Sequence, residues 1–272
     1  MDGDPSSFGS KAVTDGTASL VGRRGVMGAA GALTLLPAIA RAEWLRDEIV
    51  VYADPALRPV MAALGAQFRT ARGIRVRTFC AAPGQMLGLL AHGTQDDVLI
   101  TQTAPMTEAA QRGLVGGAPR KLWGNRLVFA ARGDGPRDAA FDSSALAAAL
   151  GDGRLALPDP SDACTIDGPA LIAKLNATDK LSGRLLGAAD TEDAVATLQR
   201  GEAALALCHA SQVATAPGLR VAMRVPDDAY APIDYAAALS HAAWSRYQDP
   251  FMAWLATDAA HAVPPLGLEV LA

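Results

Sequence analysis

The stretch RVRTFCAAPGQMLGLLAHGTQDDVLIT, residues 75–101, predicts a strand, a short helix and a second strand in close succession. Its first residues alternate arginine with apolar or β-branched side chains, and Met86–Ala91 has the apolar content of a short helix. The closing DVLIT is an apolar strand. A unit of this kind predicts neighbouring parallel strands joined by a covering helix.

The loop between the first strand and the helix is a candidate binding site. In open parallel sheets, ligands bind beyond the carboxyl ends of strands, where helix N-termini expose backbone N–H groups. A tight turn that binds nothing is the alternative. The candidate residues in this loop are Cys80, Ala81, Ala82, Pro83 and Gly84.

The same alternation of strands and helices continues on both sides of this stretch. The further predicted strands are EIVVYA, RLVFAA, RLALP, AALALC, LRVAMRV and IDYAAALS. Helical patterns lie between them, among them ALRPVMAALGAQFRTA and the segment from Thr191 to Arg200, and PFMAWLATDAAHAV predicts a terminal helix. The fold class is therefore α/β, with mostly parallel sheets flanked by helices.

Composition and charge narrow the class of protein. The chain has 272 residues, of which half are hydrophobic, so it can bury a substantial core. Its formal net charge is -4. No basic footprint of a nucleic-acid-binding protein is present.

The N-terminal segment has the pattern of an export signal. Arg23-Arg24 precede a short apolar run interrupted by Pro37, and Ala40-Arg41-Ala42 form a small-x-small cleavage site. We expect residues 1–42 to be a cleaved signal of the twin-arginine type, with a mature chain that starts near Glu43 and lies in the periplasm. An uncleaved anchor is the alternative.

The order of segments in the mature chain resembles the molybdate-binding type of periplasmic solute-binding protein, which serves ABC importers. The resemblance extends from VVYADPALRPVMAALGAQF through HGTQDDVLIT, GNRLVFAARG, ALPDP and EDAVATLQRGEAALAL to APIDYAAALS and PFMAWLATDAAHAV. It covers more than two hundred residues, although no single motif is specific. It implies two α/β lobes, a hinge, a ligand cleft between the lobes and no chemistry performed on the ligand.

The resemblance also implies how the chain is divided. Residues 47–124 together with 230–272 would form lobe 1, and residues 125–229 would form lobe 2. The expected partners are a small-molecule or oxyanion ligand and an ABC permease. We expect a monomer without cofactors.

The expected ligand positions of the family carry unusual residues here. Relatives that hold molybdate use hydroxyl groups at the first two positions, backbone N–H groups at the next two and a tyrosine at the last. In this chain the first position falls in Asp54, Pro55 and Ala56, and the second at Ala82 or Pro83. The remaining positions fall at Cys164, Thr165 and Ile166, at Thr191, and at Cys208 and His209.

These replacements favour a ligand other than molybdate. Two hydroxyl donors and a phenol are missing, and the carboxylate of Asp54 would oppose a bound oxyanion. Backbone N–H groups at 82–84 and 165–168 could still bind an anion at helix starts. The ligand class therefore remains open between an oxyanion and another small solute.

The three cysteines, Cys80, Cys164 and Cys208, each lie at the carboxyl end of a predicted strand and at or beside an expected ligand position. Three interpretations are open: buried core thiols, a disulfide between Cys164 and Cys208, or a soft-ligand site that includes His209. If a thiol lies in the cleft at a helix N-terminus, we expect it to have a lowered pKa. Adjacent residues on a regular strand point to opposite faces, which counts against Cys208 and His209 serving one site.

The remaining polar candidates have simpler interpretations. His92, His241 and His261 show no ligand spacing, and Asp96-Asp97 most simply cap or hydrogen-bond the strand that follows. No catalytic motif is present, so an enzyme is not expected. An accessory, sensory or metal-delivery protein with the same fold is the alternative to a transport receptor.

Overall fold

The structure is a computed structural model that describes residues 48–160 and 166–271. The eleven strands of these residues are β1 Glu48–Ala53, β2 Arg75–Cys80, β3 Val98–Gln102, β4 Val115–Asn125, β5 Leu127–Arg132, β6 Leu155–Pro158, β7 Leu185–Ala188, β8 Leu205–His209, β9 Leu219–Arg224, β10 Ile233–Ser240 and β11 Glu269–Val270. The nine α-helices of the same part are α1 Arg58–Arg72, α2 Pro83–Ala91, α3 Thr103–Gln111, α4 Ser143–Leu150, α5 Gly168–Lys174, α6 Thr191–Arg200, α7 Ala210–Thr215, α8 Gln248–Ala256 and α9 Asp258–Ala262.

The strands form two separate sheets, flanked by helices. The first sheet has the order β11-β4-β10-β3-β1-β2, and the second has the order β7-β6-β8-β5-β9. The chain passes from the first sheet to the second between β4 and β5 and returns between β9 and β10. This architecture confirms the predicted α/β class with two sheets.

The prediction of mostly parallel sheets is wrong, because both sheets are mixed. β1 pairs in parallel with β2 and β3, and β6 with β7 and β8. All pairs made by β10 and β5, together with the β11–β4 pair, are antiparallel. Of the antiparallel strands, β4, β5, β9 and β10 flank the two crossings between the sheets.

In the first helix, α1, the apolar residues predicted to face the core are the ones that are buried. In α1 the apolar residues Val60, Met61, Leu64 and Phe68 recur at helical spacing and are all buried. Gly73 ends the helix at φ 74°, a left-handed conformation that glycine adopts without steric cost. The sequence therefore predicted this helix well.

Several elements depart from the sequence predictions. β4 runs through Gly116, Gly117 and Pro119, and its pairing with β10 contains register shifts. The predicted terminal helix is two helices, because Thr257 leaves helical geometry at φ -117° and ψ -80°. The short helices α4 and α7 and the strand β7 were not predicted.

Within the described residues, none of the helices combines the length and the apolar character needed to cross a bilayer.

The largest buried side chains include Trp123, Tyr235 and Phe129. Phe68 packs edge-on against Phe251 and Trp254 at 5.0 and 5.2 Å between ring centroids. This packing secures α1 to α8 beside the first sheet.

Candidate functional site

The ends of strands from both sheets converge on one small cavity of about 30 Å³. β1 and β3 reach it from the first sheet, while β8 and the start of α6 reach it from the second. Seven of the predicted site residues line it: Asp54, Pro55, Ala56, Pro83, Ile166, Thr191 and His209. The cavity therefore forms where the sequence predicted a ligand, between the two sheets.

Three further polar residues line the cavity and were not predicted: Gln102, Asp190 and Glu192. Each had a signal in the sequence, because Gln102 ends the strand that contains VLIT, and Asp190 and Glu192 flank the predicted helix start at Thr191. The sequence alone did not show that these neighbours turn toward the same space.

Asp54 supplies a buried carboxylate to the cavity, with 5% of its surface exposed. Its Oδ1 accepts a hydrogen bond from the backbone N–H of Ala56 at 3.0 Å, and its Oδ2 accepts one from Gln102 Nε2 at 3.3 Å. Burial raises the pKa of Asp54, although these two hydrogen bonds act in the opposite direction. Asp54 thus retains unused hydrogen-bonding capacity next to the cavity.

His209 occupies the predicted last ligand position and is also buried, with 4% exposure. It ends β8 and precedes α7, where its backbone N–H donates to Gln212 Oε1 at 2.9 Å. Its Nδ1 lies 3.3 Å from both Gln212 Oε1 and Thr191 Oγ1. Nε2 has no hydrogen-bond partner among the described residues.

Burial lowers the pKa of His209 to about 4, so the imidazole is neutral at pH 7. A buried polar nitrogen without a partner is costly, and a bound ligand can supply the missing hydrogen bond. His209 therefore presents a neutral polar group to whatever fills the cavity.

The electrostatic character of the cavity is acidic. Asp54, Asp190 and Glu192 bring three carboxylates to its lining, and no arginine or lysine among the described residues lines it. Arg58 pairs with Glu192 at 2.9 Å between Nε and Oε1, which compensates one of the three charges. This ion pair also links α1 beside the first sheet to α6 beside the second.

A second interaction joins the sheets directly behind the cavity. Ser211 Oγ accepts a hydrogen bond from Asn125 Nδ2 at 2.8 Å and donates one to the carbonyl oxygen of Ala56 at 3.3 Å. All three residues are buried. The first turn of α7, which the sequence did not predict, is therefore part of the contact between the two sheets.

The structure does not place every predicted site residue at the cavity. Cys80, Ala81, Ala82, Gly84 and Cys208 do not line it. Cys164 and Thr165 lie outside the described residues. Ala82, next to Pro83, is buried, and Ala81 packs against the core that includes Met86 and Leu99.

The position of Cys208 corrects its assignment to the cleft. Its thiol is fully buried among alanine, valine and leucine side chains, on the face opposite to that of the cavity-lining His209. Burial raises its pKa to about 12. Cys208 is therefore a core thiol.

The expectation of a low-pKa cleft thiol is also wrong for Cys80. This half-buried residue ends β2, and burial raises its pKa to about 11. Arg58 favours the thiolate, but Glu192 and Asp54 oppose it. Both Cys80 and Cys208 carry free thiols.

The described residues contain no group of three or more His, Cys, Asp or Glu side chains placed to hold a metal ion. Of the backbone N–H donors expected for an anion at 82–84, one is absent, because position 83 is a proline. The geometry thus offers an acidic, partly unsatisfied pocket for a small solute.

Fold and site together define a solute-binding protein with its ligand position between two sheets. The chain belongs to the bacterial extracellular solute-binding protein family, whose model matches residues 49–263. This match and the relatives described below confirm the resemblance to molybdate-type solute-binding proteins that was read from the sequence. Members of this class are solute-binding proteins and not enzymes.

Individual relatives support this placement. The chain is 29% identical over 202 residues to the molybdate-binding protein ModA of Escherichia coli, an overlap of 72% of this chain and 79% of that protein. The periplasmic molybdate-binding protein of Azotobacter vinelandii has the same fold, with a TM-score of 0.68 and 18% identity over 82% of this chain and all of that one. The tungstate-binding protein TupA of Desulfovibrio alaskensis matches with a TM-score of 0.53 and 13% identity over 83% of this chain and 99% of that one.

Proposed function

We propose that this protein is the exported receptor of an ABC importer, which captures a small solute in the cleft between its two lobes. The observation that carries the proposal is the cavity shared by both sheets, because seven residues predicted at ligand positions line it. Family membership supports the transport role, and Arg23-Arg24 with Ala40-Arg41-Ala42 support export to the periplasm.

The division into lobes at residues 47–124 with 230–272 and at 125–229 is part of this proposal. Strand membership supports it, since the first sheet takes β1–β4, β10 and β11, and the second takes β5–β9. A hinge at the two connections would open the cavity, and the Arg58–Glu192 pair would form when it closes.

Native mass spectrometry of protein purified from its own periplasm tests the receptor function. A bound small molecule that is released on denaturation, together with a mature N-terminus near Glu43, is the expected result. An intact Met1, an exclusively cytoplasmic protein, or a gene without a neighbouring permease and ATPase would contradict the transport role.

We further propose that the receptor binds molybdate weakly. Ala56 and Pro83 line the cavity but carry no hydroxyl group, and each donor lost to a charged ligand costs about 1.5–3 kcal/mol. Three cavity carboxylates add repulsion. Calorimetry should detect no molybdate binding in the micromolar range, and a micromolar dissociation constant would contradict this proposal.

A further inference from the structure

The small cavity adjoins a larger groove. The groove has a volume of about 330 Å³, and two of its lining residues, Gln102 and Ile166, also line the cavity. It lies between the start of α5 and the connection from β9 to β10. A volume of this order is typical of sites for small organic ligands.

The wall of the groove is largely apolar. Leu127, Ala170, Leu171, Pro232 and Ile233 contribute aliphatic surface. A tetrahedral oxyanion would gain nothing from such a surface, whereas a hydrocarbon group would be removed from water there.

The polar side chains of the groove each have a partner within the protein: Gln102 donates to Asp54, and Asp167 accepts from the backbone N–H of Ala170. Lys174 Nζ donates to the carbonyl oxygen of Asp228 at 2.8 Å. Tyr230 Oη accepts from the backbone N–H of Leu127 at 3.2 Å and donates to Asp227 Oδ1 at 3.4 Å. Of the residues that line the cavity, His209 has a buried Nε2 without a hydrogen-bond partner among the described residues.

From this arrangement, and resting on the receptor function proposed above, we infer that the ligand is an organic solute with two parts. A neutral or cationic hydrogen-bonding head fills the cavity at Asp54 and His209, and an apolar part lies in the groove. The three carboxylates of the cavity, with one arginine to compensate them, disfavour an anionic head.

Two matched series of probes test the inference: n-alkylammonium ions and n-alkanoates of one to six carbons, measured by calorimetry. Each methylene buried in the groove should strengthen alkylammonium binding about fourfold until the groove is filled. Alkanoates of equal length should bind at least about tenfold more weakly, because one charge pair near a protein surface is worth more than this factor.

Two substitutions distinguish the contribution of the ligand head to binding from that of the apolar part. Asp54→Asn should remove the preference for ammonium over carboxylate, with Asp138→Asn as its control, because Asp138 is exposed and pairs with Arg224. Ala170→Trp should abolish the gain per methylene while methylammonium binding persists. Ala173→Trp on the same helix is its control, since Ala173 is exposed and does not line the groove.

Glu192→Gln removes another cavity carboxylate and keeps the test valid if Asp54→Asn fails to fold. Affinity without dependence on chain length, no binding of any ammonium probe, or tighter binding of alkanoates would overturn the inference. These results would leave the receptor function standing if native mass spectrometry still finds another bound solute. Loss of any bound solute in that experiment would instead contradict the receptor function.

Discussion

Two buried aspartates beside the first sheet, Asp97 and Asp54, use their carboxylates in opposite ways. Asp97 is fully buried, and its oxygens accept three backbone N–H groups, from Val50 at 2.8 Å, Trp244 at 2.9 Å and Ser245 at 2.8 Å. Asp54 accepts one backbone N–H and one longer bond from a side-chain amide, next to a cavity.

The difference distinguishes a structural carboxylate from a candidate ligand-binding one. Asp97 ties the start of β3 to β1 and to the turn after β10, so its charge is solvated by the backbone itself. Asp54 is buried with fewer donors, and burial raises its pKa. Incomplete hydrogen bonding of a buried carboxylate is tolerated where a ligand completes it.

The largest expected effect on stability follows from removing the carboxylate of Asp97, which accepts three backbone hydrogen bonds. Asp97→Ala should lower the free energy of unfolding by about 3–5 kcal/mol, because three buried N–H groups lose their acceptor at about 1–3 kcal/mol each. Asp54→Ala should cost only about 1 kcal/mol, the usual cost of a lost cap. Urea unfolding of both variants measures the difference, and equal losses would contradict the distinction.

The comparison extends to the thiol that lies near the same cavity. Because its pKa is raised from 9.0 to about 11, Cys80 should hold about 100-fold less thiolate at pH 7 than an ordinary cysteine. Its alkylation by iodoacetamide should be correspondingly slow and should accelerate about tenfold per pH unit up to about pH 11. Peptide mass spectrometry with Cys80→Ser as control measures this rate, and a plateau below pH 9 would show that the thiol is not buried in solution.

Neutralising Asp54, the buried carboxylate that accepts few hydrogen bonds, should stabilise the protein. Asp54→Asn keeps an oxygen that can accept from Ala56 and removes a buried charge, and such changes at functional sites commonly add about 0.5–2 kcal/mol. The raised pKa means that the parent loses stability as the pH rises above the ordinary value of 3.8 toward the folded pKa. The advantage of the variant should therefore be present at pH 7 and disappear below pH 3.8, which urea unfolding across this range can check.

The smallest effect on stability is expected for the ion pair between Arg58 and Glu192, which links the two sheets. Arg58 and Glu192 are 55% and 35% exposed, so Arg58→Met should change the free energy of unfolding by about 0.2–1 kcal/mol at low salt. The change should vanish in high salt because exposed charges are screened. A salt-independent loss of several kcal/mol would mean that the pair is a principal connection between the lobes.

Much of the fold was accessible from the sequence, and the reasons are local. The strand at 48–53 and the helix α6 at 191–200 were predicted with their observed bounds. Asp190 caps α6 by accepting from the N–H of Asp193, and Gly201 ends it at φ 83°. Start signals, stop signals and apolar spacing here all agree.

The elements that escaped prediction depend on partners distant in sequence. β4 contains Gly116, Gly117 and Pro119, which indicate a loop when read locally. It is a strand because β10, more than a hundred residues later, supplies the pairing. The short α7 was missed because its first turn is held by Asn125 and Ala56 rather than by its own periodicity.

By itself, the sequence determined the fold class, the family and the loops that could carry a ligand, since these follow from hydrophobic periodicity and from the ordered segments of the chain. Only the tertiary structure decided which residues of those loops share a cavity. Cys208 and His209 are neighbours in the chain, yet one is core and the other lines the cavity, because successive strand residues point to opposite faces. Likewise Asp190 and Glu192 join Asp54 only where the two sheets meet, and Gln102 reaches Asp54 through the pairing of β3 with β1, because both arrangements depend on contacts that no local pattern contains.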